Sequence, residues 1–125
     1  MQQPSALHQP MHFTEVVFPE RSNHYGTLFG GQALLLMGQA AFVTASRHAR
    51  CAVVMARCSE VQFIAPVPQG QALQLTAQVV RTGTSSMTVE VHGSAENLHT
   101  GQHQPALRGA FEMVAVDGTG RPRRI

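Results

Sequence analysis

The feature that most constrains the fold is an apolar stretch at residues 33–45. It contains no charged residue and is interrupted only by one glycine, one glutamine and one threonine. A helix on the surface of a globular protein carries polar residues along one side, whereas this stretch is apolar almost all round. We therefore predict a helix over residues 31–48 that other parts of the molecule enclose.

The length of 125 residues fits one domain, which we place at residues 11–118, between an N-terminal arm (1–10) and a basic tail (119–125). The apolar stretch is too short to cross a bilayer, and the first ten residues lack the features of a signal peptide. Cys51 and Cys58 have neither metal-site spacing nor a disulfide framework. We therefore expect a cytoplasmic protein without a membrane segment.

Strand-like segments flank the predicted helix. One precedes it and four follow it, at residues 11–18, 53–66, 71–82, 87–96 and 107–116. Short turns between the last four predict an antiparallel meander, so the expected fold class is α+β, one helix on one sheet. Because a single sheet covers only one side of a helix, we expect a second copy of the chain to cover the rest. The predicted assembly is a homodimer or a dimer of dimers.

The basic residues are all arginine, nine in number, and the net charge is +2. This charge is small and the arginines are scattered along the sequence, which argues against nucleic-acid binding. Three of them cluster near the end, at Arg121, Arg123 and Arg124. A frayed, solvated tail is one interpretation of this cluster, and a clamp for a phosphate is the other.

Among the histidines, His99 and His103 come nearest to a metal-binding pair. They lie in a polar segment and have no cysteine or carboxylate partner at the spacing of a zinc site. We therefore expect no metal.

The residues before the helix combine turn formers with glycine. Asn23, His24 and Gly26 lead into Gly30 and Gly31. A helix N-terminus presents unpaired backbone N–H groups, and glycines let another group approach them closely. Such a place can polarise a carbonyl oxygen or hold an anion. A tight turn with close packing explains the same residues, and both readings stay open at this point.

Five sequence blocks carry a family resemblance. In chain order they read NHYGTLFGGQALLLM, ASRHA, VQFIAPVPQG, TGTSSMTVEV and AFEMVAVDGTGRP. They resemble the hotdog-fold acyl-CoA thioesterases, in the branch of YciA-type bacterial enzymes and cytosolic acyl-CoA hydrolases, over residues 16–122. The resemblance implies a hotdog fold, a long central helix wrapped by a five-stranded antiparallel sheet, with active sites between subunits. It also implies hydrolysis of acyl-CoA to a free acid and coenzyme A, which is part of the substrate, and no separate cofactor.

The resemblance implies a role for each matching residue. Asn23 would lie close to the thioester, and the backbone N–H of Gly31 or Gln32 would hold its carbonyl oxygen. His24 and Gly30, in the same block, would contact substrate. A turn would bind the pantetheine and nucleotide portions of coenzyme A, unless it is only a turn into a strand: Gly83, Thr84, Ser85 and Ser86.

One position departs from the family pattern. Relatives read MDxAA in the helix, and their aspartate acts as general base or nucleophile across the interface, whereas this chain reads MGQAA and has Gly38 there. Loss of a general base lowers a rate by about 10²- to 10⁴-fold, while polarisation at the helix start survives. We therefore predict slow hydrolysis. The alternatives are a non-catalytic acyl-CoA-binding protein and a dimer with a purely structural role.

Three glutamates and three apolar residues have less direct roles in this hypothesis. Glu15 and Glu20 are the carboxylates closest to the entrance loop in sequence, whereas strand alternation predicts that Glu60 points away from the helix. We expect acyl length to depend on Leu36, Phe42 and Met55.

Overall fold

The computed structural model describes residues 9–125, so residues 1–8 of the predicted arm lie outside the described part. The described residues form one α-helix, five strands and one short 3₁₀ turn. In chain order these are β1 (Met11–Val16), the turn (Pro19–Arg21), α1 (Gly30–Ala49), β2 (Val53–Phe63), β3 (Ala72–Thr82), β4 (Ser86–Glu96) and β5 (His103–Ala115). The helix lies on a single antiparallel sheet, which confirms the predicted α+β architecture.

The order of strands in the sheet is β1-β3-β4-β5-β2, and this corrects the predicted four-strand meander. β3, β4 and β5 do form a meander, but β2 pairs with β5 at one edge instead of with β3. The connection after β2 contains Pro66 and Pro68, which cannot donate the backbone bonds of a hairpin. It crosses the end of the sheet instead, where Leu28 N–H donates to Val67 O at 2.8 Å and Gln69 N–H to Gly26 O at 2.8 Å.

Several element boundaries differ from the prediction; β2, for example, ends at Phe63 instead of residue 66. β1 ends at Val16, because the Pro19 turn begins soon afterwards. β5 begins at His103, four residues before its apolar alternation starts. The helix begins at Gly30 and ends at Ala49, and Arg50 closes it in the left-handed conformation (φ 54°) by donating its N–H to Ser46 O.

The core lies between the helix and one face of β3, β4 and β5. Their alternating apolar residues all point to that side, as predicted; the largest fully buried ones include Leu73, Leu75, Met87, Val89, Phe111 and Met113. On the helix the buried face is rich in small side chains, which allow close approach to the sheet: Ala33, Leu36, Met37, Ala40, Ala41, Thr44 and Ala45. The predicted enclosure of the helix is therefore complete on one side only. Leu35 and Phe42 are about half exposed, at 51% and 50%.

Strand β2 contains two irregularities in its pairing with β5. The register shifts between Met55 and Arg57 and again between Ser59 and Gln62, and Glu60 has a left-handed backbone with φ 54°. Each shift adds a residue and changes which face the following residues take. As a result Met55 and Cys58 both line a cavity beside the helix, although their separation in sequence is odd.

The C-terminal residues are exposed, but they are held by backbone hydrogen bonds, which corrects the prediction of a frayed tail. Asp117 Oδ1 accepts from the N–H of Thr119 at 2.9 Å and of Arg121 at 3.1 Å. Further along, Arg123 N–H donates to Ala115 O, and Ile125 N–H donates to Thr84 O at 3.0 Å. The chain therefore folds back beside the turn between β3 and β4.

Candidate functional site

The loop before the helix is fixed by the side chain of Asn23. Its Oδ1 accepts from the N–H of Tyr25 at 2.9 Å and of Thr27 at 3.2 Å, and its Nδ2 lies 3.0 Å from Thr27 Oγ1. Gly26 supplies the positive φ of 78° that this turn needs. An asparagine amide has two N–H donors, so one remains for another acceptor after the bond to Thr27. His24 is exposed and its ring lies against that of Tyr25.

The helix start leaves backbone donors unused by the helix itself. Ala33 N–H is the first to bond back, to Phe29 O at 2.9 Å, so the N–H groups of Gly30, Gly31 and Gln32 have no acceptor within the helix. Phe29 at the N-cap provides no side-chain cap, and the first turn has no acidic residue. The partial positive charge of the helix N-terminus and its backbone N–H groups therefore have no partner within the helix and its first turn.

Two aromatic rings flank these donors. A Cβ atom on Gly31 would lie 2.7 Å from Cε1 of Phe29, so the ring packs where any side chain at residue 31 would be. A Cβ atom on Gly30 would meet Cζ of Phe63 at 4.0 Å. The Phe29 ring therefore packs directly against Gly31, and the helix start has apolar walls.

An apolar cavity of about 710 Å³ extends from this helix start along the exposed face of α1. Its walls come from the helix, from β2 and from β5: Gly31, Leu34, Leu35, Gly38, Gln39, Phe42, Val43, Met55, Cys58 and Phe111. The polar side chains among these are Gln39 and the Cys58 thiol, and none carries a carboxylate. A ligand portion that fits here is an apolar chain whose polar end reaches the helix start.

Only some of the predicted site residues line this cavity. Gly31, Gly38, Phe42 and Met55 line it, whereas Leu36 lies in the core. Gly30 borders a second cavity of about 280 Å³ on the other side of the helix start, with Phe63 and Ile64. The roles proposed for Asn23, His24 and Gln32 stay predictions.

The carboxylates considered as substitutes for the missing aspartate lie elsewhere. Glu60 borders a small cavity on the outer face of the sheet with Glu90, His92 and Arg108, so it points away from the helix as predicted. Glu15 lies 3.7 Å from Arg21 in an ion pair.

Residues 83–86, the predicted coenzyme A segment, lie at the far end of the sheet from the helix start of the same chain. Ser86 begins β4, whereas Gly93 pairs with Leu107 beside Phe63 and the helix start. At ~3.3 Å per residue the two points are roughly 23 Å apart along the strand. A single chain therefore does not bring these two parts of the predicted site together.

Within residues 9–125, no group of histidine, cysteine and carboxylate side chains is arranged to hold a metal ion. In the same residues, no helix has the length and apolar character needed to cross a membrane.

One long helix laid on a five-stranded antiparallel sheet, with an apolar cavity along the free helix face, defines the hotdog class of α+β proteins. The sequence profile of the Thioesterase superfamily matches residues 25–102. The chain belongs to that superfamily.

Curated relatives are named as acyl-CoA thioester hydrolases. YkhA of Bacillus subtilis, described as uncharacterized, is 37% identical over 87% of this chain and 63% of its own length. An uncharacterized acyl-CoA thioester hydrolase of Zymomonas mobilis is 36% identical over 88% of this chain and 74% of its own length. This chain thus spans less than two thirds of the Bacillus relative.

Solved structures of acyl-CoA hydrolases are also similar to this chain. A hexameric acyl-CoA thioesterase in its apo form is 38% identical and superimposes with a TM-score of 0.89 over 92% of this chain and 74% of that one. An acyl-CoA hydrolase from Staphylococcus aureus, in complex with butyryl coenzyme A and coenzyme A, is 34% identical with a TM-score of 0.87 over 92% and 70%. The Staphylococcus enzyme has also been solved as variants in which one aspartate, one threonine or one asparagine is replaced by alanine.

Proposed function

We propose that this chain hydrolyses acyl-CoA thioesters to a free acid and coenzyme A, at a low rate, in the cytoplasm and without a separate cofactor. One observation carries the proposal most directly: uncompensated N–H groups at the helix start open into an apolar cavity of about 710 Å³. The cavity suits an acyl chain, and the donors suit the oxygen of its thioester. The names of the relatives point to the same reaction.

In this proposal the backbone N–H of Gly31 or Gln32 stabilises the oxyanion that forms when water attacks the carbonyl carbon. Asn23 keeps one amide N–H for the attacking water or the thioester after its bonds within the loop. The hydrogen-bonded turn holds that amide in one orientation, and a preorganised donor is worth more than a mobile one. His24 and Gly30 contribute to the surroundings of the substrate.

The low rate follows from Gly38. The asparagine, aspartate and threonine substituted in the Staphylococcus enzyme have the same spacing in sequence as Asn23, Gly38 and Met55 here. This equal spacing supports the assignment of Gly38 to the aspartate position. None of the residues lining the cavity replaces its carboxylate.

We further propose that the active unit is a homodimer formed through β2 and the exposed helix face. β2 is an edge strand, and Met55 on it (45% exposed) lines the same cavity as Leu35 and Phe42. Val54 (48%) and Phe63 (57%) on the same strand are also exposed. An unpaired edge with apolar side chains favours pairing with another strand. The hexameric relative supports assembly beyond the dimer.

A second candidate function, acyl-CoA binding without turnover, is favoured by the same glycine at position 38. In that case the cavity and the helix start would be kept for affinity alone. The two candidates differ only in the chemical step, so binding and turnover must be measured separately.

The test is steady-state hydrolysis of acyl-CoAs from two to sixteen carbons, together with calorimetric titration of coenzyme A. Slow turnover that depends on acyl length, with coenzyme A binding, supports the hydrolase. Binding without turnover favours the second candidate. If the chain shows neither binding nor turnover, both candidate functions are wrong.

A further inference from the structure

Two polar side chains interrupt the otherwise apolar wall of the large cavity, and they belong to Gln39 and Cys58. Gln39 follows Gly38, the position at which the family pattern has aspartate. Within the part of the chain that the structure describes, the Gln39 carboxamide has no hydrogen-bond partner. An amide carries one oxygen acceptor and two N–H donors, so Gln39 brings unused hydrogen-bonding groups to the cavity.

Gln39 lies on the same line of the helix as Gly31 and Leu35, because residues four apart share one helix face. All three line the cavity. At about 1.5 Å per residue, Gln39 is roughly 12 Å from Gly31 along the helix axis. Its side chain is too short to span this distance. Gln39 therefore does not reach a thioester at the helix start of its own chain.

The contacts between the helix and β2 indicate which helix start Gln39 can reach. A Cβ atom on Gly30 would meet Phe63, the last residue of β2, at 4.0 Å, whereas one on Gly38 would meet Met55, near its first residue, at 3.3 Å. An antiparallel two-fold pairing of β2 with its copy sets the last residues of one strand beside the first residues of the other. Gln39 of one chain then lies close to the helix start of its partner.

We propose that the carboxamide of Gln39 orients the water that attacks the thioester held at the partner's helix start. This role rests on the proposed function and on its dimer. The amide oxygen accepts one O–H bond of the water, which directs a lone pair of the water oxygen toward the carbonyl carbon. A carboxamide does not take up a proton at neutral pH, so Gln39 positions the water without acting as a general base.

The reaction balances without a general base. The water oxygen bonds to the carbonyl carbon, the C=O electron pair moves to the oxygen held by backbone N–H groups, and the water loses one proton to solvent. When this oxyanion re-forms the carbonyl, the C–S bond breaks and its electron pair stays on sulfur. The coenzyme A thiolate then takes a proton from solvent, since a thiol with an ordinary pKa of about 8.5 is mostly protonated at neutral pH.

Because solvent accepts the first proton, we expect the rate of the wild-type chain to rise with pH, as hydroxide becomes available. Among the residues that line the cavity, Cys58 on β2 is the titratable one. The loop before the helix adds His24 and Tyr25. A substitution of Gln39 leaves these three groups in place, so a change in the shape of the pH profile is an effect of residue 39.

The experiment compares Gln39→Ala, which removes the amide, with Gln39→Glu, which keeps its shape and adds a base. Gln104→Ala and Gln104→Glu are the matched controls, because Gln104 is exposed on β5 and is not among the residues that line the cavity. The kcat and KM for an acyl-CoA are measured from about pH 5.5 to about pH 9, a range that covers the titration of a general base. Calorimetry measures the affinity of each variant for coenzyme A.

We expect Gln39→Ala to lower kcat about tenfold at every pH, with KM and coenzyme A affinity almost unchanged, since only the orientation of the water is lost. We expect Gln39→Glu to raise kcat at neutral pH by at least about tenfold, within the range that a general base supplies. Its profile levels off once the new carboxyl is ionised, whereas the wild-type profile continues to rise. The two Gln104 variants keep the wild-type profile.

Equal loss in Gln39→Ala and Gln104→Ala, or a change in KM alone, would overturn the role of Gln39 and leave the hydrolase proposal standing. A Gln39→Glu profile with the shape of the wild-type profile would also overturn it, whether or not Gln39→Ala folds. The absence of turnover in the wild-type chain and in Gln39→Glu would instead remove the proposed function, and the role of Gln39 with it.

Discussion

The thioether methyl of Met55 lies 3.3 Å from the position that a Cβ atom on Gly38 would take. Residue 38 on the helix and residue 55 on β2 thus share one small volume in the wall of the cavity. The methionine fills space that a side chain at residue 38 would need. A carboxylate introduced at residue 38 would therefore press on the end of the Met55 side chain.

Gly38→Asp alone is expected to raise thioester hydrolysis only slightly, because Met55 crowds the new carboxylate. Gly38→Asp/Met55→Thr is expected to exceed it by at least about tenfold, within the range of about 10²- to 10⁴-fold that a general base supplies. Steady-state kcat is the measurement, and Met55→Thr alone is the control. A single variant as active as the double one would show that Met55 does not obstruct the carboxylate.

Gly31→Ala is expected to lower turnover, because its methyl group would lie 2.7 Å from Cε1 of Phe29 at the helix start. The ring is about half exposed and can move, so we expect a small loss of stability, about 1 kcal/mol or less. Gly30→Ala is the matched steric control, since its Cβ atom would lie 4.0 Å from Cζ of Phe63. Kinetics and thermal unfolding of both variants test this. An unaffected Gly31→Ala enzyme would argue against substrate approach at that residue.

Glu60→Gly is expected to stabilise the fold by about 1 kcal/mol. Glu60 holds a left-handed backbone (φ 54°), which costs a non-glycine residue of order 1 kcal/mol or more, while glycine adopts it freely. Gln62→Gly, on the same strand but outside the left-handed region, is expected to destabilise by roughly 0.5–1 kcal/mol. Urea unfolding measures the free energy of unfolding of each variant relative to the unsubstituted chain. Destabilisation by both substitutions would mean that contacts of the Glu60 side chain outweigh the strain.

Acid is expected to loosen the C-terminal segment. The hydroxyl of Thr119, followed by the N–H groups of Thr119 and Arg121, lowers the pKa of Asp117 below its usual value. A lowered pKa means that the ionised carboxylate stabilises the folded segment. That contribution is complete above the unfolded pKa of about 3.9, and it is lost as the pH falls through the lowered folded pKa.

Amide hydrogen exchange of Arg121 and Arg123, followed from about pH 6 down to pH 3, measures this loosening. Correction for the intrinsic exchange rate isolates the opening of the segment. Asp117→Asn is expected to weaken protection at neutral pH and to remove its change with acid. Protection that is the same in both proteins would show that Asp117 does not hold the segment.

The fold was largely predictable from the sequence because β3, β4 and β5 alternate regularly. Leu73, Leu75 and Val89 occupy every second position, and period-two alternation fixes both the strand and its buried face. The order of strands was not predictable, since it depends on where the chain crosses after Pro66. No local pattern specifies that β2 pairs with β5.

The candidate site was predictable only where its residues are contiguous. Asn23, Gly30 and Gly31 lie in one block, so a loop and a helix start could be expected. The contact between Gly38 and Met55, and that between Ile125 and Thr84, join residues distant in sequence, and no spacing rule anticipates them. The turn in the C-terminal tail could have been predicted from Asp117 and Gly120, because aspartate and glycine are typical turn residues.

The two extra residues of β2 constrain how this strand can vary. Deleting one residue at the bulge near Glu60 would leave Gln62 opposite Arg108 and Phe63 opposite Leu107, because the residue removed is the extra one that has no partner of its own. The strand would lose the local bend and added twist that a bulge produces. The number of residues between Met55 and Phe63 therefore sets the curvature of this edge strand, whereas its pairing with β5 fixes which side chains face the helix.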